Sequence, residues 1–133
     1  MALDIGDERI GVALSDPTGI LASPYTIIDR RDEKQDIEAI INIVGQHQVQ
    51  QIVVGLPRSM DGTVGRQAEK VKDFTRRLSS STDVPVTYRD ERLTTVSAKR
   101  LMREAGRKKT RKKPRYDAMA AAIILQSYLD EER

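Results

Sequence analysis

Acidic residues at three places along the chain could together hold metal ions. Asp4 interrupts an apolar run near the N-terminus, Asp90 and Glu91 close a later apolar run, and Asp117 opens an apolar C-terminal segment. Carboxylates brought close together repel one another unless divalent cations neutralise them. Mg²⁺ prefers such oxygen ligands, and a pair of these ions can catalyse phosphodiester hydrolysis. Taken singly, each acid has a simpler interpretation, namely an ion pair, a solvated strand end or a favourable helix-dipole position.

A basic segment, residues 107–115, contains seven Lys or Arg and no acid, while the whole chain has a net charge of only +3. The rest of the chain is therefore net acidic, and the positive charge is concentrated. Such a segment is typical of a contact surface for a polyanion, most often nucleic acid. The alternative is a solvated loop that is basic for solubility.

The composition excludes several other classes of protein. The chain has no cysteine and one histidine, which excludes disulfides, zinc–thiolate sites, cysteine nucleophiles and multi-histidine metal sites. Its 133 residues predict one domain, residues 1–133. No apolar run approaches the roughly 20 residues of a membrane span, and no signal-peptide pattern opens the chain. We therefore expect a cytoplasmic protein that has no membrane partner.

The elements that must position these acids follow from apolar periodicity and turn residues. Strands are predicted over residues 1–6, 10–15, 23–29, 51–56 and 84–89. Helices are predicted over residues 33–46, ending near Gly45, and over 63–78, capped by Thr63. A third helix is predicted from Thr94 or Thr95 to about Ala105, and a last one from Pro114 to about residue 129.

The order βββαβαβαα defines the fold class. Three antiparallel strands open the chain, and strand–helix alternation follows, which predicts an α/β fold with a mixed five-stranded sheet and helices on both faces. Open sheets of this kind bind ligands at the carboxyl ends of their strands. We therefore expect the acids to meet at that edge.

Four short motifs, in this order and spacing, cover nearly the whole chain. They are Leu3-Asp4-Ile5-Gly6 with residues 10–16, Val53-Val54-Gly55-Leu56-Pro57 with Met60-Asp61-Gly62, Asp90-Glu91-Arg92-Leu93-Thr94-Thr95, and Asp117-Ala118-Met119-Ala120-Ala121. Together they resemble the YqgF (RuvX-like) family of bacterial nucleases. The resemblance implies a ribonuclease H-like fold and a relation to RuvC-type Holliday junction resolvases. It also implies activity either on Holliday junctions or on the 5′ end of pre-16S rRNA.

By this resemblance, the catalytic and metal-binding acids are Asp4, Glu91 and Asp117, which would hold Mg²⁺ or Mn²⁺. Strand alternation turns Asp90 to the face opposite Glu91, so only one of the two should reach the metals. The predicted phosphate-contacting residues are all cations, namely Arg58, Arg66, Arg92, Lys108, Lys109, Arg111, Lys112 and Lys113.

The leading hypothesis is therefore a metal-dependent endonuclease that cleaves structured RNA or branched DNA, as a monomer or a homodimer. A nucleotide phosphotransferase of the sugar-kinase and actin type has a similar opening hairpin, but such enzymes need two domains of this size. A non-catalytic RNA-binding or ribosome-assembly module with the same fold is the remaining alternative.

Overall fold

The computed structural model of the chain describes residues 1–57, 65–91 and 116–132. Its elements in chain order are β1 (Ala2–Ile5), β2 (Arg9–Ser15), β3 (Ala22–Asp29), α1 (Glu33–His47), β4 (Ile52–Leu56), α2 (Arg66–Ser80), β5 (Val86–Asp90) and α3 (Tyr116–Glu132). The helix predicted from Thr94 or Thr95 to Ala105 lies outside the described residues.

One five-stranded sheet has the strand order β3-β2-β1-β4-β5. The pairs β1–β2 and β2–β3 are antiparallel, whereas β1–β4 and β4–β5 are parallel. The prediction of a mixed five-stranded α/β sheet with three antiparallel opening strands is confirmed. Because β1, β4 and β5 run in the same direction, their carboxyl ends lie at one edge of the sheet.

Each face of the sheet packs against its own helices. On one face, β-branched and leucine side chains meet α1 and α2, with Ile40, Phe74 and Leu78 almost fully buried. On the other face, small residues such as Ala2 and Ala13 meet α3. Small side chains let α3 lie close to the strands, so this second layer is thin and tightly packed.

Several predicted boundaries differ from the structure by one or more residues, including the following three. Helix α1 passes through Gly45 and ends at His47, where Gln48 takes a left-handed conformation with φ of 51° and closes the helix. Helix α2 begins at Arg66, and its N-cap is Gly65, which makes no side-chain cap hydrogen bond, so the cap predicted at Thr63 is wrong. The last strand begins at Val86, two residues later than predicted.

A buried ion pair joins the sheet to both helices of the first face. Asp36, in the first turn of α1, is buried and accepts hydrogen bonds from Arg30 Nε at 3.2 Å and from the Arg31 backbone N–H at 3.0 Å. The Arg30 guanidinium also lies over the Phe74 ring of α2, 5.0 Å from its centroid. These contacts satisfy the buried carboxylate and connect the end of β3 to α1 and α2.

Within the described part of the chain, no helix is long and apolar enough to cross a lipid bilayer.

Candidate active site

Asp4 lies in β1, the central strand of the sheet. It is half-buried and stands directly opposite Gly11 of β2. Strand alternation puts Asp4 on the same face as Ala2, which packs in the α3 layer. The carboxylate therefore belongs to the α3 side of the sheet, close to the carboxyl end of its strand.

Glu91 follows directly after β5 and lies over β4 at Gly55. A Cβ added to Gly55 would lie 3.3 Å from Glu91 Cγ and would overlap Cδ1 of Ile124 from α3. The absence of a side chain at Gly55 thus makes room for Glu91 and Ile124 on one face of β4. The Glu91 side chain therefore packs directly against the backbone of Gly55.

The surroundings of the Glu91 carboxyl group shift its pKa. Burial, the largest cause, acts together with the neighbouring charges of Asp4 and Asp90 to raise the pKa of Glu91 from 4.5 to about 7. Desolvation and like charge both disfavour the ionised carboxylate. The raised pKa indicates that the structure brings Asp4 and Glu91, which are far apart in sequence, close enough to repel one another.

Asp90 lies on the other side of the sheet. It is the last residue of β5 and pairs with Leu56 of β4, whose side chain packs in the core under α1 and α2. Residues directly opposite each other on neighbouring strands share a face. Asp90 is therefore directed away from the α3 face, and Glu91 is the acid that shares a side of the sheet with Asp4.

Asp117 is the second residue of α3, the helix that covers this face of the sheet. Its backbone is at the N-terminal end of the helix, and its neighbour Ala118 is buried. The position of the Asp117 side chain lies outside the described part of the chain. Among the side chains that are described, three or more acids or histidines nowhere form a metal-binding group. The third member of the predicted metal set therefore stays a prediction.

Only one of the predicted phosphate-contacting residues is described. Arg66 is the exposed first residue of α2. The others lie outside the described residues, namely Arg58, Arg92, Lys108, Lys109, Arg111, Lys112 and Lys113. The predicted nucleic-acid surface thus stays a prediction as well.

Sequence reasoning missed a cleft beside Asp4. Its volume is about 290 Å³, and it is lined by Asp4, Gly6, Asp7, Glu8 and Arg9. The sequence contained one sign that Arg9 lies near Asp4. Arg9 and Gly11 are two residues apart in β2, so strand alternation places both on the same face.

The family of the chain follows from comparison with known proteins. A family model described as "RuvX: Holliday junction resolvase" matches residues 1–131. The chain belongs to the RuvX family. The resemblance inferred from the four motifs is confirmed, and with it the assignment to nucleases, enzymes that hydrolyse phosphodiester bonds.

Similar proteins of other organisms carry the curated name "Putative pre-16S rRNA nuclease". The Dehalococcoides mccartyi protein is 51% identical over 127 residues, which cover 96% of this chain and 94% of that protein. The Roseiflexus sp. protein is 46% identical over 133 residues, which cover 100% of this chain and 94% of that protein. RuvX relatives of this similarity therefore match the chain over nearly its whole length.

Solved structures with the same fold include two resolvases bound to Holliday junctions. Thermus thermophilus RuvC in complex with its junction substrate matches with a TM-score of 0.65 at 12% identity, covering 98% of this chain and 92% of that chain. The Fowlpox virus resolvase in complex with Holliday junction DNA matches with a TM-score of 0.57 at 12% identity, covering 98% of this chain and 95% of that chain. At this identity the likeness establishes the RuvC-type fold.

Proposed function

We propose that this RuvX chain is a metal-dependent endonuclease that hydrolyses phosphodiester bonds in structured nucleic acid. The observation that carries the proposal is Glu91, which packs against Gly55: burial and then the charges of Asp4 and Asp90 raise its pKa to about 7. A partly buried acid whose pKa is perturbed both by desolvation and by a second acid is characteristic of a functional site.

The donor set fits a hard divalent cation. Asp4 and Glu91 offer carboxylate oxygens, which Mg²⁺ and Mn²⁺ accept and which softer ions do not favour. Without a cation, the two negative charges repel each other. A divalent cation between them would attract both carboxylates and so offset that repulsion. We propose Asp117 as the third ligand, on the strength of the family motif at the start of α3.

A divalent cation held by these acids would activate a water molecule and stabilise the leaving oxygen. The residues of the chain hold the two carboxylates in place. The hydrogen-bonded strands β2 and β4 on either side of β1 fix Asp4, while the Glu91 side chain packs against Gly55 of β4. Both carboxylates are thus oriented before substrate arrives, which lowers the cost of reorganisation during the reaction.

We propose pre-16S rRNA as the substrate, since relatives that match almost the whole chain are named as pre-16S rRNA nucleases, and we propose its 5′ end as the site of cleavage on the strength of the family resemblance. A Holliday junction is the other candidate, because the family description and the RuvC-type fold are those of resolvases. Both are structured polyanions, and both can be offered to the same enzyme preparation. The predicted cytoplasmic location is part of this proposal.

The test is a cleavage assay with chelator-treated protein to which Mg²⁺ or Mn²⁺ is returned. A pre-16S rRNA fragment and a four-way DNA junction serve as substrates. We expect cleavage by the wild-type chain to depend on the metal, and we expect Asp4→Asn and Glu91→Gln to reduce cleavage to background while remaining folded. The matched control is Asp90→Asn, which removes an acid from the opposite face and should retain most activity.

The alternative outcomes discriminate between the hypotheses. Full activity of Asp4→Asn would show that the carboxylate pair is not the catalytic centre. Loss of activity in Asp90→Asn, with activity retained in Glu91→Gln, would move the function to the other face of the sheet. Tight binding of either substrate without cleavage in any metal would instead identify a non-catalytic module.

A further inference from the structure

The turn between β1 and β2 is built with little freedom. The Gly6 backbone N–H donates a hydrogen bond to the Arg9 carbonyl oxygen at 2.9 Å. A Cβ added to Gly6 would itself lie 2.9 Å from that oxygen, closer than side chains are found to approach. Glycine at this position therefore allows the close contact that shapes the turn.

Arg30 anchors the same turn from the other side. Its Nη1 donates to the Gly6 carbonyl oxygen at 3.0 Å, and its backbone N–H donates to the Glu8 carbonyl oxygen at 2.9 Å. The guanidinium is itself fixed by Asp36 and the Phe74 ring. Because Arg30 is held by the core, the turn that it contacts is held in a defined position.

This turn places Arg9 at the cleft beside Asp4. Arg9 opens β2, is exposed, and lies on the same face as Gly11, the residue directly opposite Asp4. Among the described residues that line the cleft, Arg9 is the one cation, alongside the acids Asp4, Asp7 and Glu8.

We propose that the Arg9 guanidinium binds a phosphate group of the nucleic-acid strand that enters the cleft beside Asp4. A polyanion that approaches three acids is repelled, and a cation at the rim of the cleft offsets that repulsion. The planar guanidinium can donate two parallel hydrogen bonds to one phosphate, which fixes both position and orientation. Arg9 is therefore a substrate-positioning residue, and this assignment rests on the proposed nuclease function.

Binding can be separated from cleavage by using Asp4→Asn as the parent protein. Dissociation constants for the pre-16S rRNA fragment are measured over a series of salt concentrations in the parent and in the parent carrying Arg9→Gln, Arg9→Lys or Arg76→Gln. Arg76 is the matched control, since it is an exposed arginine of α2 that does not line the cleft. Thermal unfolding of each variant checks that it is folded.

We expect Arg9→Gln to flatten the dependence of log K on log salt by about 0.7 to 0.9, the loss of one phosphate contact. Arg9→Lys should restore the slope, because the charge is retained. In the otherwise wild-type enzyme, Arg9→Gln should raise KM, and Arg9→Lys should lower kcat by loss of the paired hydrogen bonds. Arg76→Gln should leave the slope and both kinetic constants unchanged.

An unchanged salt slope in Arg9→Gln, with the parent binding and the wild-type chain cleaving, would overturn the role of Arg9 and leave the proposed function standing. An equal loss of slope in Arg76→Gln would reduce Arg9 to one of many diffuse surface charges and would also overturn it. Failure of the parent to bind and of the wild-type chain to cleave would overturn the proposed function, and the role of Arg9 with it.

Discussion

Replacing Glu91 by glutamine should change how the stability of the metal-free protein depends on pH. In the folded chain, burial and the neighbouring acids raise the pKa of Glu91 from 4.5 to about 7. Between these two pH values the folded chain holds a proton that the unfolded chain releases. The stability contributed by protonated Glu91 is therefore complete below about pH 4.5 and is lost as the pH rises through about 7.

The size of the effect follows from the same shift. At about 1.4 kcal/mol per pKa unit, the shift corresponds to at most about 3 kcal/mol of unfolding free energy. Glu91 is only partly buried, and solvent screens part of that energy, so we expect a loss of about 1 to 2 kcal/mol. Glutamine has a similar shape and carries no charge at any of these pH values, so the variant should not show this loss.

Urea unfolding of chelator-treated protein at several pH values between 4.5 and 8 measures the effect directly. The difference in unfolding free energy between Glu91→Gln and wild type should grow by about 1 to 2 kcal/mol across this range, in favour of the variant. Glu38→Gln is the matched control, because Glu38 is an exposed glutamate on the outer side of α1. A difference that stays constant with pH would refute the reasoning, since Glu91 would then titrate alike in both states.

Gly55→Ala should destabilise the fold by about 1 to 3 kcal/mol and reduce cleavage, because the added methyl displaces Ile124 and Glu91; Ile124→Val, which removes the overlapping Cδ1, should restore part of the loss in a double-mutant cycle. Asp36→Asn should cost about 3 to 5 kcal/mol in urea unfolding, because it leaves the partly buried Arg30 without its charged partner. Changing four cations of the basic segment to glutamine should flatten the salt dependence of nucleic-acid binding by about 3 to 4, measured by titration, without changing metal affinity; these four are Lys108, Lys109, Lys112 and Lys113.

Each of these three predictions has a result that contradicts it. Equal effects of Gly55→Ala in the presence of isoleucine or valine at position 124 would mean that the two residues do not compete for space. Wild-type stability of Asp36→Asn would make the ion pair dispensable. An unchanged salt slope for the four-glutamine variant would show that the segment is a solvated loop, and the polyanion surface would have to be sought elsewhere.

The sequence predicted the order of helices and strands because each of them is defined by a pattern of consecutive residues. The β-branched run of β4 is buried on both faces, and the spacing of Ile37, Ile40 and Val44 defines the inner side of α1. The same patterns say little about where an element starts. Helix α2 begins at Arg66 without a side-chain cap, and no residue type signals that boundary.

Specific contacts between residues far apart in the chain could not be predicted from the sequence. Gln126 sits among apolar residues of α3 and is fully buried, where it accepts from the Ala22 N–H and donates to the Ile20 carbonyl oxygen. The pattern of α3 predicts an apolar helix and gives no sign of this partner. Likewise, an acid at Asp36 is favourable in any first helical turn, so its pairing with Arg30 emerges only when the strands and helices pack.

The packing of α3 on the first strands means that this face of the sheet is completed only at the end of protein synthesis. Asp4 leaves the ribosome early, but its strand pairs with β4, and the contact between Ala22 and Gln126 spans 104 residues. At roughly 5 to 20 residues per second, α3 follows Asp4 by several seconds. Until then the Ile124 side chain is missing from the face of β4 at Gly55, where Glu91 also lies. We therefore expect an unfinished chain to lack the arrangement of Asp4, Glu91 and α3 on which the proposed cleavage depends.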